Sequence, residues 1–305
     1  MDTDNRVVDG EILEMLPTRP FFEARGISKN YEGEPVIRDV DLYINRGEIV
    51  SLVGPSGIGK TTLFTVLSGL EKPDGGAVFL AGEDVSAQAG RVGYMLQEDL
   101  LLPFKTVEEN VAMPLILGGE KRRPAIKKVQ PYLEAFGLAG TGGKYPAQLS
   151  GGMRQRAAFL RAYLFRSDMM LLDEPFSALD ALTKSAMEQW FHRIARETGV
   201  TALLITHDIE EAVLLSDRIY LMGGHPGRIT AQVDVASAKR GDAAWGKGTA
   251  TPNRLRERPG SMVAPEGIRE RPDGAAVGNP WVWGGMTDAL RKIKEDVTEM
   301  VMHGV

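Results

Sequence analysis

Residues Gly54-Pro55-Ser56-Gly57-Ile58-Gly59-Lys60-Thr61 match G-x-x-x-x-G-K-[ST], the pattern of a loop that wraps a phosphate chain. The glycines let the backbone fold round an anion with its N–H groups turned inward, Lys60 reaches the outer phosphates, and the Thr61 hydroxyl binds Mg²⁺. The flanking sequence agrees. Glu48 to Val53 reads as a buried strand, and Leu63, Val66, Leu67 and Leu70 fall at i, i+3, i+4 and i+7, which predicts one face of a helix. The loop therefore joins a strand to a helix N-terminus, whose dipole also favours phosphate. This part of the chain is committed to a strand–loop–helix unit that holds a nucleoside triphosphate.

Composition narrows the remainder. A chain of 305 residues, 43% of them hydrophobic, can bury a sizeable core in one large domain or two small ones. The formal charge of −5 argues against a general nucleic-acid binder, which carries a basic excess. The absence of cysteine excludes disulfides, cysteine zinc sites and thiol chemistry, and suits a reducing compartment. Met1 to Leu16 is acidic and lacks the basic-then-apolar order of a signal peptide, so a cytosolic location is expected. No apolar run approaches the roughly 18 to 20 residues needed to span a bilayer. Any membrane role has to come through a partner.

Taken in order, residues 1–20 form a polar arm that ends in Pro17-Thr18-Arg19-Pro20. Phe21 to Ile27 and Val36 to Ile44 read as strands, with Tyr31 on the turn between them, where an aromatic serves packing or stacks on a base. Ala77 to Leu80 and Arg91 to Leu96 read as short strands, the second running into Gln97. From Thr106 to Pro146 the pattern is helical, with Pro114, Pro124 and Pro131 expected to mark breaks. Ser150 then caps an amphipathic helix whose first turn is Gly151-Gly152, either an ordinary cap or a second anion-binding N-terminus.

Met169-Met170-Leu171-Leu172-Asp173-Glu174-Pro175 is an apolar strand ending in two acids, as a central parallel strand should look. Chemistry in open α/β sheets sits at the carboxyl ends of strands. Asp173 is thus placed to hold Mg²⁺ and Glu174 to deprotonate a water, although adjacent acids at a strand end also serve as helix caps. A helix from about Leu182 to Glu197 and a strand from Val200 to Ile205 follow. That strand ends in Thr206-His207-Asp208, which sets His207 to donate a hydrogen bond to a γ-phosphate.

On these motifs, in this order, residues from about Phe21 to Val233 resemble the nucleotide-binding subunit of ATP-binding-cassette (ABC) transporters. The resemblance implies an α/β, P-loop ATPase core with a mixed sheet, an inserted helical subdomain at about 98–165 and an antiparallel β subdomain, in a nucleotide-binding domain spanning 21–235. It implies that Tyr31 stacks on adenine and that Gly54, Pro55, Ser56, Gly57, Ile58, Gly59, Lys60, Thr61 and Thr62 hold the phosphates of ATP. It gives Gln97 a contact to Mg²⁺ and to the membrane partner, and makes Leu149 to Gly152 the family signature, with Ser150, Gly151 and Gly152 on the nucleotide. Asp173 and Thr61 then serve the metal, Glu174, Lys60 and His207 serve hydrolysis, and Ser177 to Asp180 line a dimer interface. Met153 departs from the glutamine that most often ends the signature, which removes an amide that could contact nucleotide.

The implied assembly is a head-to-tail dimer, each ATP lying between one phosphate loop and the other chain's signature, bound to permease subunits on the cytoplasmic face of the membrane and fed by a solute-binding receptor. Gln97 to Val107 and Pro226 to Ile229 resemble the nitrate, sulfonate and taurine importers. Two alternatives stay open. A soluble cassette acting on nucleic acid or ribosomes is opposed by the single cassette, the missing coiled-coil arms, the absent zinc cysteines and the acidic balance; an exporter of lipid or lipoprotein is the other. Beyond Val235 the resemblance fades. Arg240 to Met286 holds nine Gly and five Pro, the mark of an irregular segment, yet also Trp245, Trp281 and Trp283, of which the last two are expected to anchor the tail. Residues 287–305 then predict a helix with Leu290, Ile293, Val297, Met300 and Val301 on one face, too short to stand alone.

Overall fold

The computed structural model describes residues 20–165, 168–236 and 288–302. The strands are β1 (Phe22–Tyr31), β2 (Glu34–Ile44), β3 (Ile49–Val53), β4 (Gly75–Leu80), β5 (Glu83–Asp84), β6 (Gly93–Met95), β7 (Met169–Asp173), β8 (Thr201–Thr206), β9 (Arg218–Gly223) and β10 (Arg228–Asp234). The helices are α1 (Lys60–Leu67), α2 (Val107–Leu117), α3 (Arg122–Ala135), α4 (Gly151–Tyr163), α5 (Ala181–Thr198), α6 (Ile209–Leu215) and α7 (Asp288–Met302).

β3, β7 and β8 are mainly apolar and buried along their whole length. They form the middle of a six-stranded sheet, β10-β9-β3-β8-β7-β6, in which every pair is parallel except β9 with β10. Alternation along each strand divides the core into two layers. Met169 and Leu171 of β7 and Leu203 and Ile205 of β8 join Leu63 and Phe64 of α1 and Phe22, Ile27 and Leu42 of an antiparallel sheet, β2-β1-β4-β5. Met170, Leu172, Ala202 and Leu204 point the other way, against the helices. There Phe159 of α4 meets Trp190 and Phe191 of α5 edge to face, with centroids 5.6 and 5.5 Å apart. The two sheets are also joined by polar groups. The buried Tyr220 hydroxyl accepts from Tyr43 N at 3.1 Å and donates to Tyr43 O at 3.2 Å, and Arg218 pairs with Glu48 beside it.

Three local expectations change. α1 stops at Leu67, because Gly69 adopts φ 74° and its amide bonds back to Val66 O, which ends the helix. Leu70 therefore leaves the inner face and is 60% exposed. The prolines expected to break helices do not: Pro114 lies inside α2 and Pro131 inside α3, while Pro124 falls in the first turn of α3, where no N–H is required. Burial of Val107, Val111 and Ala112 on α2 and of Ala125, Val129 and Leu133 on α3 carries those helices past the lost hydrogen bond. Tyr31 is the last residue of β1 rather than a turn residue, since β1 runs four residues beyond Ile27.

α7 lies against α6 and β9, where Val297 is fully buried in a cluster with Ala212, Val213, Ile219 and Leu221 and Lys294 pairs with Glu210. The N-terminal arm and Trp245, Trp281 and Trp283 lie outside the described residues. Among the described residues no helix is long and apolar enough to cross a membrane. Leu171 is 0% exposed at the centre of β7. Leu171→Ala is expected to cost about 2–5 kcal/mol in denaturant unfolding; a change under about 1 kcal/mol would contradict burial of this strand on both faces.

Candidate active site

Parallel pairing aligns the carboxyl ends of three strands: Val53 of β3 registers with Thr206 of β8, and Asp173 of β7 with Ile205. The residues that follow each strand, Gly54, Glu174 and His207, thus emerge along one edge of the sheet. The loop after β3 threads between the two sheets, and at two of its glycines there is no room for a side chain. A Cβ on Gly54 would lie 2.5 Å from Met222 O of β9, and Gly59, at φ 101°, would press one against Ile37 of β2 at 2.6 Å. Lys60 opens α1, is buried, and donates to Gly54 O at 2.7 Å and Pro55 O at 2.8 Å. Thr61 and Thr62 follow in the first turn of α1.

Asp173 and Lys60 are both buried and face each other's field. Burial, and then the charge of Glu174, raise the Asp173 carboxyl above its usual range, while Lys60 opposes the rise. Burial likewise lowers the Lys60 ammonium, opposed by Glu174 and Asp173. Each charge is tolerable because the other is near. Glu174 has φ 44°, a left-handed conformation that is costly for a residue with a side chain. It is held there by Glu174 N to Ile205 O at 3.0 Å and by the Ser177 hydroxyl on Glu174 O at 2.9 Å. Its Oε2 lies 3.3 Å from Nδ1 of His207, which is 60% exposed.

The other expected residues fall at distinct places. Gln97 donates to Ser177 Oγ at 3.2 Å, which brings the segment after β6 to the same edge. Tyr31 stands on the antiparallel sheet, with its hydroxyl donating to Glu71 Oε2 at 2.6 Å and the Lys29 ammonium 5.5 Å from its ring centre. Ser150 caps α4 by accepting from Met153 N, and Gly151 and Gly152 pack on Leu179 and Thr183. This signature turn is set beside the start of α5, and no hydrogen bond found among the described residues links it to the phosphate loop. Met153 packs against the helical core.

Tyr94 and Glu71, which sequence reasoning passed over, and Gly227, noted there only within the Pro226 to Ile229 likeness, also support the expected residues. Tyr94 of β6 faces Asp173, and burial with that neighbour raises its phenol. Gly227 seats the β9–β10 turn on the back of the phosphate loop: a Cβ there would lie 2.2 Å from Ile58 O, and Gly227 N donates to Val36 O at 2.9 Å. Glu71 holds Tyr31. The spacing of a local motif cannot reveal such partners; of these residues only Gly227 was noted, within the Pro226 to Ile229 likeness to the importers.

A nucleoside-triphosphate site at a sheet edge with a second, separate signature helix defines an ATP-binding cassette. The family described as ABC transporter matches residues 37–177. A formylaminopyrimidine import ATP-binding protein of Halalkalibacterium halodurans is 46% identical over 192 residues, 63% of this chain and 75% of that protein. An aliphatic sulfonates import ATP-binding protein of Rhodococcus jostii is 43% identical over 226 residues, 72% and 88%. Among solved structures, a dimeric ATP-binding cassette in a post-hydrolysis state with ADP and Pi aligns with a TM-score of 0.61 at 28% identity, covering 70% of this chain and 98% of that one. The chain belongs to the ABC transporter family, as an ATP-binding and ATP-hydrolysing subunit.

Gly59 is the sharpest local test, because its φ and the contact at Ile37 both exclude a side chain. Strain of about 1–3 kcal/mol in Gly59→Ala is expected to turn the loop N–H groups away and weaken ATP binding by at least about fivefold. Titration with a fluorescent ATP analogue checks this; unchanged affinity would contradict a phosphate loop of this geometry.

Proposed function

We propose that this chain drives an ABC importer for a small anion or nutrient such as nitrate, a sulfonate or taurine. The observation that carries the reading is the convergence of the phosphate loop, Asp173-Glu174 and His207 on one sheet edge, beside relatives that are import ATP-binding proteins. We take residues 21–235 as the cassette, about 98–165 as its helical part, and 236–286 and 287–305 as a linker and an appended helix.

In this reading Tyr31 stacks on adenine, while the amides of Gly54 to Thr62 and the Lys60 ammonium hold the phosphates. The Asp173 carboxylate, Thr61 hydroxyl and Gln97 amide are hard oxygen donors, and the raised Asp173 carboxyl gains from a nearby cation, so the residues fit Mg²⁺. Mg²⁺ would neutralise charge on the phosphates as it develops. Glu174 takes the proton of the attacking water, and His207 donates to the γ-phosphate from the place its contact with Glu174 gives it. Ser150, Gly151 and Gly152 serve the ATP of a second copy packed head to tail, with Ser177 to Asp180 in the interface. The segment after Gln97 passes the opening and closing of that dimer to permease subunits, which hold the chain at the cytoplasmic face and receive solute from a receptor. The net charge of −5 favours this over work on nucleic acid.

Glu174→Gln is expected to bind ATP with near-normal affinity and to hydrolyse it at least about a hundredfold more slowly, read by phosphate release. Near-normal turnover would remove Glu174 as the base. Because the site needs two chains, specific activity is expected to rise with protein concentration until the dimer saturates; constant specific activity from nanomolar upward would contradict the shared site.

A further inference from the structure

Apart from the residues assigned above, a partly buried ionic cluster links α5 to the start of α6. Lys184, one turn into α5, sets its ammonium 2.6 Å from Asp208 Oδ2, 3.1 Å from Glu211 Oε2 and 3.8 Å from Glu188 Oε1. Glu188 and Glu211 are buried, and three carboxylates surround one cation. Burial and the neighbouring Glu211 push Glu188 up to about 7, which limits the excess negative charge. Glu210, the next acid on α6, turns outward to Lys294 of α7, and the Thr206 hydroxyl lies beside Glu211.

Asp208 directly follows His207. Its Oδ1 caps α6 by accepting from Glu210 N at 2.9 Å and Glu211 N at 3.3 Å, its amide donates to Thr206 Oγ1 at 3.0 Å, and its Oδ2 takes Lys184. Contacts and chain together close a ring. Glu174 bonds Ser177, the chain runs on to Asp180, which caps α5 at Thr183 N, and Lys184 reaches across to Asp208, whose neighbour His207 returns to Glu174 at 3.3 Å. We propose that Lys184 is a positioning residue for ATP hydrolysis: by tying Asp208 to α5 it holds His207 against the Glu174 carboxylate. The proposal rests on the roles given to Glu174 and His207. Without the cation, three carboxylates face one another at reduced solvent exposure and force the N-terminus of α6 away from α5. The phosphate loop, built from β3 and α1, stays in place, so the loss falls on turnover rather than on ATP binding.

The test compares steady-state ATPase kinetics of the full chain with thermal unfolding as a check on folding. Lys184→Met is expected to lower kcat at least about tenfold with KM for ATP within about twofold, and Lys184→Arg to restore most of the rate. Should Lys184→Met fail to fold, Asp208→Asn, which keeps a capping oxygen but loses the ion pair, is expected to show the same split. The double variant Lys184→Met/Glu211→Gln corrects part of the charge imbalance without restoring the tie and is expected to remain slow. Wild-type kcat in folded Lys184→Met or Asp208→Asn, or recovery of the rate in the double variant, overturns the proposal. His207→Ala separates the two levels: slow His207→Ala beside fast Lys184→Met removes the proposal alone, whereas full turnover in His207→Ala removes the underlying reading as well.

Discussion

Parallel pairing of β3, β8 and β7 is the constraint on which the site depends. Strands buried on both faces must be largely apolar, so polar residues gather at their ends; Ser51, inside β3, is accommodated by a hydrogen bond with Ser216. Parallel direction puts all the carboxyl ends on one side, and the register of Val53 with Thr206 and of Asp173 with Ile205 brings the phosphate loop, two acids and a histidine within reach of one another. The burial that makes the strands stable also makes charges at their ends expensive. Burial raises the Asp173 carboxyl and lowers the Lys60 ammonium, Lys60 opposing the first shift and Glu174 and then Asp173 the second, so the edge is an electrostatic unit rather than a row of independent groups.

Conformational strain and long-range hydrogen bonds tie this edge to the helices. Glu174 keeps its left-handed backbone because Ile205 O and Ser177 hold it, and Ser177 also takes the amide of Gln97. Two residues on from Gln97, Asp99 accepts from Arg154 of α4 at 3.1 Å, and Arg161 of α4 donates to the carbonyls of Asp99 and Leu100 at 2.7 and 2.8 Å. The signature helix and the segment after Gln97 are thus bonded to each other, and Gln97 in turn to the turn beyond Glu174. Hydrogen bonds and a short stretch of chain connect α4 to the acid at the end of β7.

How much of this could be read from residues alone follows the range of each interaction. Gly54 to Thr61, Asp173-Glu174 and His207 were legible because short spacing and strand ends carry their placement, and the apolar run at Met169 to Leu172 announced a central strand. The early stop of α1 was misread because apolar spacing reaches Leu70, while the deciding event is the left-handed turn at Gly69. Pro114 and Pro131 looked like breaks because propensity is local, and the packing of α2 and α3 that overrides it is not. Tyr94 against Asp173, Gly227 against Ile58 and Lys184 against Asp208 are contacts made by topology between residues far apart in the chain or on different helices. No motif encodes them.

The phosphate loop and the signature turn are both well formed, yet within the chain they lie on separate elements, the one between β3 and α1, the other at the head of α4 beside α5. In the proposed head-to-tail pairing each completes the other only across two copies. The direct measurement mixes two variants: Lys60→Ala, which loses the phosphate loop, and Ser150→Arg, which loses the signature. Each alone is expected to be nearly inactive, whereas the mixture forms dimers with one intact shared site and regains a substantial fraction of ATPase activity. A mixture no more active than its components would contradict the account.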